Sequence, residues 1–127
     1  MRKGSAEDRR RATHDAGLRA ERVAAFWLRL KLYKILALRY RVDGGEVDII
    51  AKRGDSIAFV EVKTRPKMEE ALTAITPQKR RRLSIAAARW LGANPWAANY
   101  ALRGDAICIA PGRPPQHVIC AFELRLG

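Results

Sequence analysis

Gly45-Glu46-Val47-Asp48-Ile49-Ile50 and Phe59-Val60-Glu61-Val62-Lys63-Thr64 decide how this chain folds. Both stretches alternate in polarity, as half-buried strands do. Between them Lys52-Arg53-Gly54-Asp55-Ser56 is a glycine-containing turn, so the whole predicts a β-hairpin. With Gly54-Asp55 at the tip, Arg53 faces Ser56 and Lys52 faces Ile57. Counting back sets Asp48 opposite Glu61 and Glu46 opposite Lys63. Side chains on a strand alternate faces, so Glu46, Asp48, Glu61 and Lys63 share one face. The other carries Val47, Ile49, Ala51, Ala58, Val60 and Val62, and is the expected core side.

The pairing of Asp48 with Glu61 is the informative feature. Like charges directly opposite destabilise a sheet. Two carboxylates with Cβ atoms roughly 5 Å apart need a cation or a shared proton. A divalent metal supplies the first, and hard oxygen donors suit Mg²⁺ or Mn²⁺. Lys63, two residues beyond Glu61, is expected to hold a water or a phosphate oxygen. Such a set is the equipment of metal-assisted phosphodiester hydrolysis. The competing reading is a solvated strand face on which Glu46 and Lys63 form an ordinary ion pair.

The remaining sequence fits a nucleic-acid partner. The chain has 127 residues, enough for one domain. Its 25 Lys and Arg outnumber 13 Asp and Glu, for a formal charge of +12, which points to a polyanion. No apolar run is long enough to cross a membrane, and the basic N-terminus lacks a signal-peptide core, so a cytoplasmic location is expected. Cys108 and Cys120 are then expected to be reduced, buried strand residues.

Residues 1–13 are polar and rich in arginine, and are expected to form a mobile basic arm preceding a domain over 14–127. A helix is predicted from Asp15 to Leu32, with Leu18, Glu21, Ala24, Ala25 and Leu28 on one face. Tyr33–Val42 reads as a strand ending at the turn Asp43-Gly44-Gly45. After the hairpin, Thr76-Pro77 is a helix start, with threonine as N-cap. That helix should reach Gly92, with Leu83, Ala86, Ala87, Trp90 and Leu91 inward. Its N-terminus carries Gln78, Lys79, Arg80, Arg81 and Arg82, the expected contact with a phosphate backbone. Strands follow at Tyr100–Ala110 and Gln116–Leu124. Asp105, amid apolar residues, is expected to have a structural role, such as pairing with Arg103 or with a helix-end group, rather than a catalytic one. The order αβββαββ implies an α/β domain with a mixed sheet flanked by helices.

Asp48 followed by Glu61-Val62-Lys63 resembles the core of the PD-(D/E)xK nuclease superfamily. More closely, Gly44-Gly45-Glu46-Val47-Asp48-Ile49-Ile50-Ala51 with Phe59-Val60-Glu61-Val62-Lys63-Thr64-Arg65 resembles the bacterial YraN family, regarded as akin to archaeal Holliday-junction resolvases. The resemblance runs from Gly17 to Phe122. It implies a restriction-endonuclease-like fold and a nuclease acting on DNA, and the likeness to resolvases suggests branched DNA. It implies Asp48 and Glu61 as metal ligands, with the Val62 carbonyl and Glu21 assisting, and Gln78 as a substrate-orienting residue. Relatives usually show Asn-Tyr-Arg where this chain has Arg39-Tyr40-Arg41. A homodimer would fit an enzyme that cuts two strands. The alternative is a non-catalytic nucleic-acid-binding protein on the same fold.

Overall fold

The computed structural model describes residues 5–126. Helix α1 spans Ala6–Leu30, and strands β1, β2 and β3 span Lys34–Val42, Gly45–Arg53 and Ser56–Thr64. Helices α2 and α3 follow at Met68–Thr73 and Pro77–Ala93. A 3₁₀ turn at Pro95–Asn99 leads into β4 at Ala101–Ile109 and β5 at Gln116–Phe122. The sheet order is β1-β2-β3-β4-β5, with β3 and β4 parallel and the other neighbours antiparallel. The parallel step needs a crossover, and α2, α3 and the 3₁₀ turn supply it. This is a single-domain mixed α/β architecture consistent with a restriction-endonuclease-like fold. Among the described residues, no helix is long and apolar enough to cross a membrane.

Helix α1 begins nine residues before the expected Asp15. Ser5 caps it: its hydroxyl accepts from the Asp8 N–H at 3.1 Å, and the Asp8 carboxylate accepts from the Ser5 N–H at 3.2 Å. Residues 6–13, expected to be an arm, are therefore helical, while residues 1–4 lie outside the described residues. The first turns are exposed throughout, so they carry none of the apolar periodicity that marks a packed helix.

The sheet is buried on both faces, which corrects the expectation of one core side. Ile49, Ala51, Ala58 and Val60 pack with Ala24, Ala25 and Leu28 of α1. Ile50, Ile57 and Phe59 pack with Leu83, Ala86, Ala87 and Trp90 of α3. The face that carries the acids is charged only toward one end of the hairpin. Gly45 allows α3 to come close: a Cβ there would lie 2.7 Å from both the Ala86 nitrogen and the Arg82 oxygen. That contact sets the N-terminal half of α3 over the start of β2.

Beyond the middle of the sheet, β5 is held by a buried polar network. Asp105 is fully buried and accepts from Arg103 Nε at 3.2 Å and Nη2 at 2.9 Å. It also meets His117 Nε2 at 2.8 Å and the Cys120 N–H at 3.1 Å. The expected Arg103 pair is present, with two partners from β5 added. Cys120 has φ of 55°, in the left-handed region that non-glycine residues rarely adopt. Its N–H thus turns inward at the β4–β5 irregularity between Gly104 and Ala106. Both cysteines are free, but only Cys108 is buried; Cys120 is exposed, against expectation.

Candidate functional site

The hairpin register starts as expected, with Arg53 opposite Ser56 and Lys52 opposite Ile57. The β2–β3 pairs end at Ile49 and Val60, one pair short of Asp48 and Glu61. Instead of a strand carbonyl, the Asp48 carboxylate oxygen Oδ2 accepts the Val62 N–H at 2.8 Å. Val47 packs with the α3 cluster although Ile49 packs with α1, so alternation breaks at Asp48. On the other side of β2, Arg39 lies between the pairs Leu38–Ile49 and Tyr40–Val47 with φ of 51°. Both ladders are interrupted at this acid; on the β3 side it meets the like charge of Glu61, a pairing that destabilises a ladder.

Asp48 and Glu61 are nevertheless neighbours whose carboxyls interact directly. Glu61 is 2% exposed. Burial, reinforced by the Asp48 charge, pushes its carboxyl up to about 7. Burial also raises Asp48, opposed by the Val62 N–H and the charges of Lys79 and Arg41. Without another cation, the pair is best satisfied by one proton shared between them, donated from Glu61 toward Asp48.

The cations around the pair differ from expectation. Lys63 Nζ lies 3.5 Å from Glu61 Oε1, and the Glu46–Lys63 ion pair of the competing reading does not form. Past Asp48 the strands no longer pair, and Glu46 faces Arg41 of β1 instead, with Arg41 Nη1 3.2 Å from its Oε2. Lys79 Nζ reaches across from α3 to Glu46 Oε1 at 3.3 Å and Glu61 Oε1 at 3.7 Å. Burial works to lower the Lys79 pKa, but Glu61 and Glu46 outweigh it and hold the ammonium charged. Burial likewise works to raise Glu46, which Arg41 and Lys79 outweigh to keep it ionised.

Glu21 is brought to the same region from α1. Its carboxyl is raised by burial and by the charge of Asp48. Arg39 Nη1 donates to its Oε2 at 3.0 Å, whereas its buried Oε1 has no hydrogen-bond partner. Buried acceptors normally find a partner, so this oxygen is available to a cation or a water. Among the described residues, no three His, Cys, Asp or Glu side chains form a group that could hold a metal ion. The donor set at hand is the Asp48–Glu61 pair, with Glu21 beyond it. Of Val62, the contact seen is its N–H to Asp48.

The N-terminus of α3 does not present one continuous cationic patch. Thr76 caps it as expected, accepting the Lys79 N–H at 3.2 Å. Lys79 turns into the carboxylate site, and the Arg82 charge acts on Glu46. Arg80 and Arg81 face the other way, lining a cavity of about 420 Å³ with Arg125 and Glu123. Gln78 is exposed. Sequence periodicity could have separated these two groups, since Arg80, Arg81, Ser84 and Ile85 recur at helical spacing; it could not have aimed Lys79 at Glu61.

A pH dependence follows from Glu61. Its carboxyl titrates near its usual 4.5 in the unfolded chain and near 7 when folded. Between those values the folded state binds more protons, so stability falls as pH rises from about 4.5 to about 7. In Glu61→Gln that decline should shrink by roughly 2–3 kcal/mol. Urea unfolding of both proteins at about pH 5 and about pH 8 measures the difference; equal declines would refute it.

Fold and site together define a one-domain α/β protein with a buried carboxylate pair and clustered lysines at the end of a central hairpin. The model of the family described as "Uncharacterised protein family UPF0102" matches residues 20–109, and the chain belongs to that family, the YraN-like group its hairpin resembles. A UPF0102 protein of Methylocella silvestris is 58% identical over 120 residues, covering 94% of this chain and 97% of that one. UPF0102 proteins of Methylorubrum extorquens and Methylobacterium nodulans are 52% and 49% identical, each over 91% of this chain and over 91% and 90% of their own.

Proposed function

We propose that this protein is a metal-dependent nuclease of the PD-(D/E)xK type that hydrolyses phosphodiester bonds in nucleic acid, with DNA as the first substrate to test. The observation that carries the reading is the buried Asp48–Glu61 pair, raised by burial and mutual charge. Structural acids are seldom placed so, because the arrangement is costly unless a cation or proton joins them. The two hard carboxylates of Asp48 and Glu61 suit Mg²⁺ or Mn²⁺, whose shell water and phosphate oxygens would complete, and Glu21 Oε1, without a hydrogen-bond partner, lies beyond them. Asp48 and Glu61 would hold the ion. When bound, such an ion activates water and stabilises charge on the phosphate. Lys63, 3.5 Å from Glu61, is the residue assigned to orient the attacking water or steady the developing oxyanion. Arg80, Arg81 and Arg125 around their shared cavity are assigned to the phosphate backbone, which they would hold without reading bases. A branched substrate rests on the resemblance to resolvases alone.

A second reading, a nucleic-acid-binding protein without catalysis, is favoured by one observation. The carboxylates already have partners within the chain: Arg39 for Glu21, Lys63 and Lys79 for Glu61. Titration of the folded protein with Mn²⁺ by calorimetry, with and without DNA, separates the two. The nuclease reading expects binding that disappears in Asp48→Asn; the other expects none in either protein and a salt-dependent DNA affinity that ignores metal.

A further inference from the structure

The placement of Lys79 goes beyond backbone contact. One oxygen of the buried Glu61, Oε1, faces two ammonium groups, Lys63 at 3.5 Å and Lys79 at 3.7 Å. The two lysines differ in what else they hold. Lys79 has a second carboxylate, Glu46, at 3.3 Å; Lys63 makes no other ion pair among the described residues. Glu46 is itself anchored on β1 by Arg41 at 3.2 Å, so it keeps its place if Lys79 moves. The close approach of α3 at Gly45 brings Lys79 over this end of the hairpin.

We propose that Lys79 is a built-in counter-cation that occupies the cation position beside Glu61 until a divalent metal displaces it, with Glu46 as the acceptor to which it then withdraws. The proposal rests on the metal-site reading above. A lysine suits the role because its ammonium is a compact charge on a flexible stem that can change partners. Held between two carboxylates, it limits the repulsion of the acids in the metal-free protein. A metal ion beside Glu61 would feel its positive charge at short range, a repulsion large enough to alter affinity about tenfold even in polar surroundings. Withdrawal onto Glu46 relieves that repulsion. Lys79 and Glu46 are thus positioning residues that tune metal occupancy.

The test is Mn²⁺ calorimetry on the full chain as wild type, Lys79→Met, Glu46→Gln and the double variant, each checked for folding, with Asp48→Asn as control. Lys79→Met should bind Mn²⁺ about tenfold more tightly. Glu46→Gln should bind several-fold more weakly, because Lys79 loses its second acceptor. In the Lys79→Met background most of that loss should vanish, a coupling that independent sites do not show. Binding in Lys79→Met but not in wild type would also support displacement. If wild type binds and Asp48→Asn does not, yet Lys79→Met binds equally or more weakly, displacement is overturned while the metal site stands. A Lys79→Met variant that melts earlier with unchanged Mn²⁺ affinity has lost only a structural pair, and also overturns it. Absence of binding in all four proteins overturns the metal site and displacement together.

Discussion

Asp48→Asn is expected to abolish metal-dependent cleavage, by at least about 10³-fold, while leaving the fold and the affinity for DNA in place. The choice of asparagine matters. Asp48 Oδ2 accepts the Val62 N–H at 2.8 Å, where the β2–β3 pairs have ended. Alanine would leave that N–H without its acceptor and mix a backbone defect with the loss of a ligand. Asparagine keeps an oxygen for the hydrogen bond and removes only the charge. It also removes the repulsion that helps to raise Glu61, so the variant should unfold at the same or higher urea concentration than wild type. DNA affinity at fixed salt should stay within a few-fold, because the arginines around Arg80 and Arg125 are untouched. Chelation of divalent ions should reproduce the variant in the wild-type protein. The measurement is cleavage of a panel of duplex, single-stranded and branched DNA with Mg²⁺ or Mn²⁺, alongside binding by anisotropy. Wild-type cleavage rates in Asp48→Asn, or cleavage indifferent to chelator, would sink the assignment.

The same stretch shows how far a sequence reading reaches. The tip of the hairpin fixed the register correctly, because a short turn leaves little freedom in how its flanks pair. Counting then brought Asp48 and Glu61 together, and they are together. It did not reveal that pairing stops at Ile49, since the count assumes a ladder that the two charges interrupt. The same interruption decides the partner of Glu46: Arg41 lies opposite it on β1, while Lys63 stays with Glu61. Lys79 reads as one of four helix cations because helical periodicity says which residues share a side, not what the side meets. Only the packing of α3 against Gly45 decides that. The early start of α1 was legible in Ser5 and Asp8, a capping pair at the right spacing. The turns that follow bury nothing, so no apolar periodicity extends the helix back to that pair. The partner of Glu21 is Arg39, whose reach depends on a backbone twist at positive φ that no composition announces.

Asp105→Ala is expected to cost about 3–5 kcal/mol of stability, the range for breaking a buried ion pair. Burial alone would raise this carboxyl, but hydrogen bonds from His117, Arg103 and Cys120 outweigh it and hold it ionised. Removing it strands the partners. Arg103 would keep Tyr33, whose hydroxyl it meets at 2.7 Å, but its charge would be left without a counter-ion in a largely buried place. The Cys120 N–H, turned inward by its left-handed backbone, would lose its acceptor. His117 would keep Lys31, whose ammonium lies 2.7 Å from its Nδ1, and its edge contact with the Tyr33 ring. The loss therefore reaches the end of α1, β4 and β5 together. Urea unfolding measures the total, and hydrogen exchange should show β5 losing protection first. Asp105→Asn, which keeps an acceptor and loses the charge, should fall between wild type and alanine. Where the variant is still folded, its Mn²⁺ affinity should match wild type, because the side-chain partners of Asp105 are Arg103, His117 and the Cys120 N–H, none of them a residue of the carboxylate site. A cost below about 1 kcal/mol would mean that Arg103 is satisfied by other means.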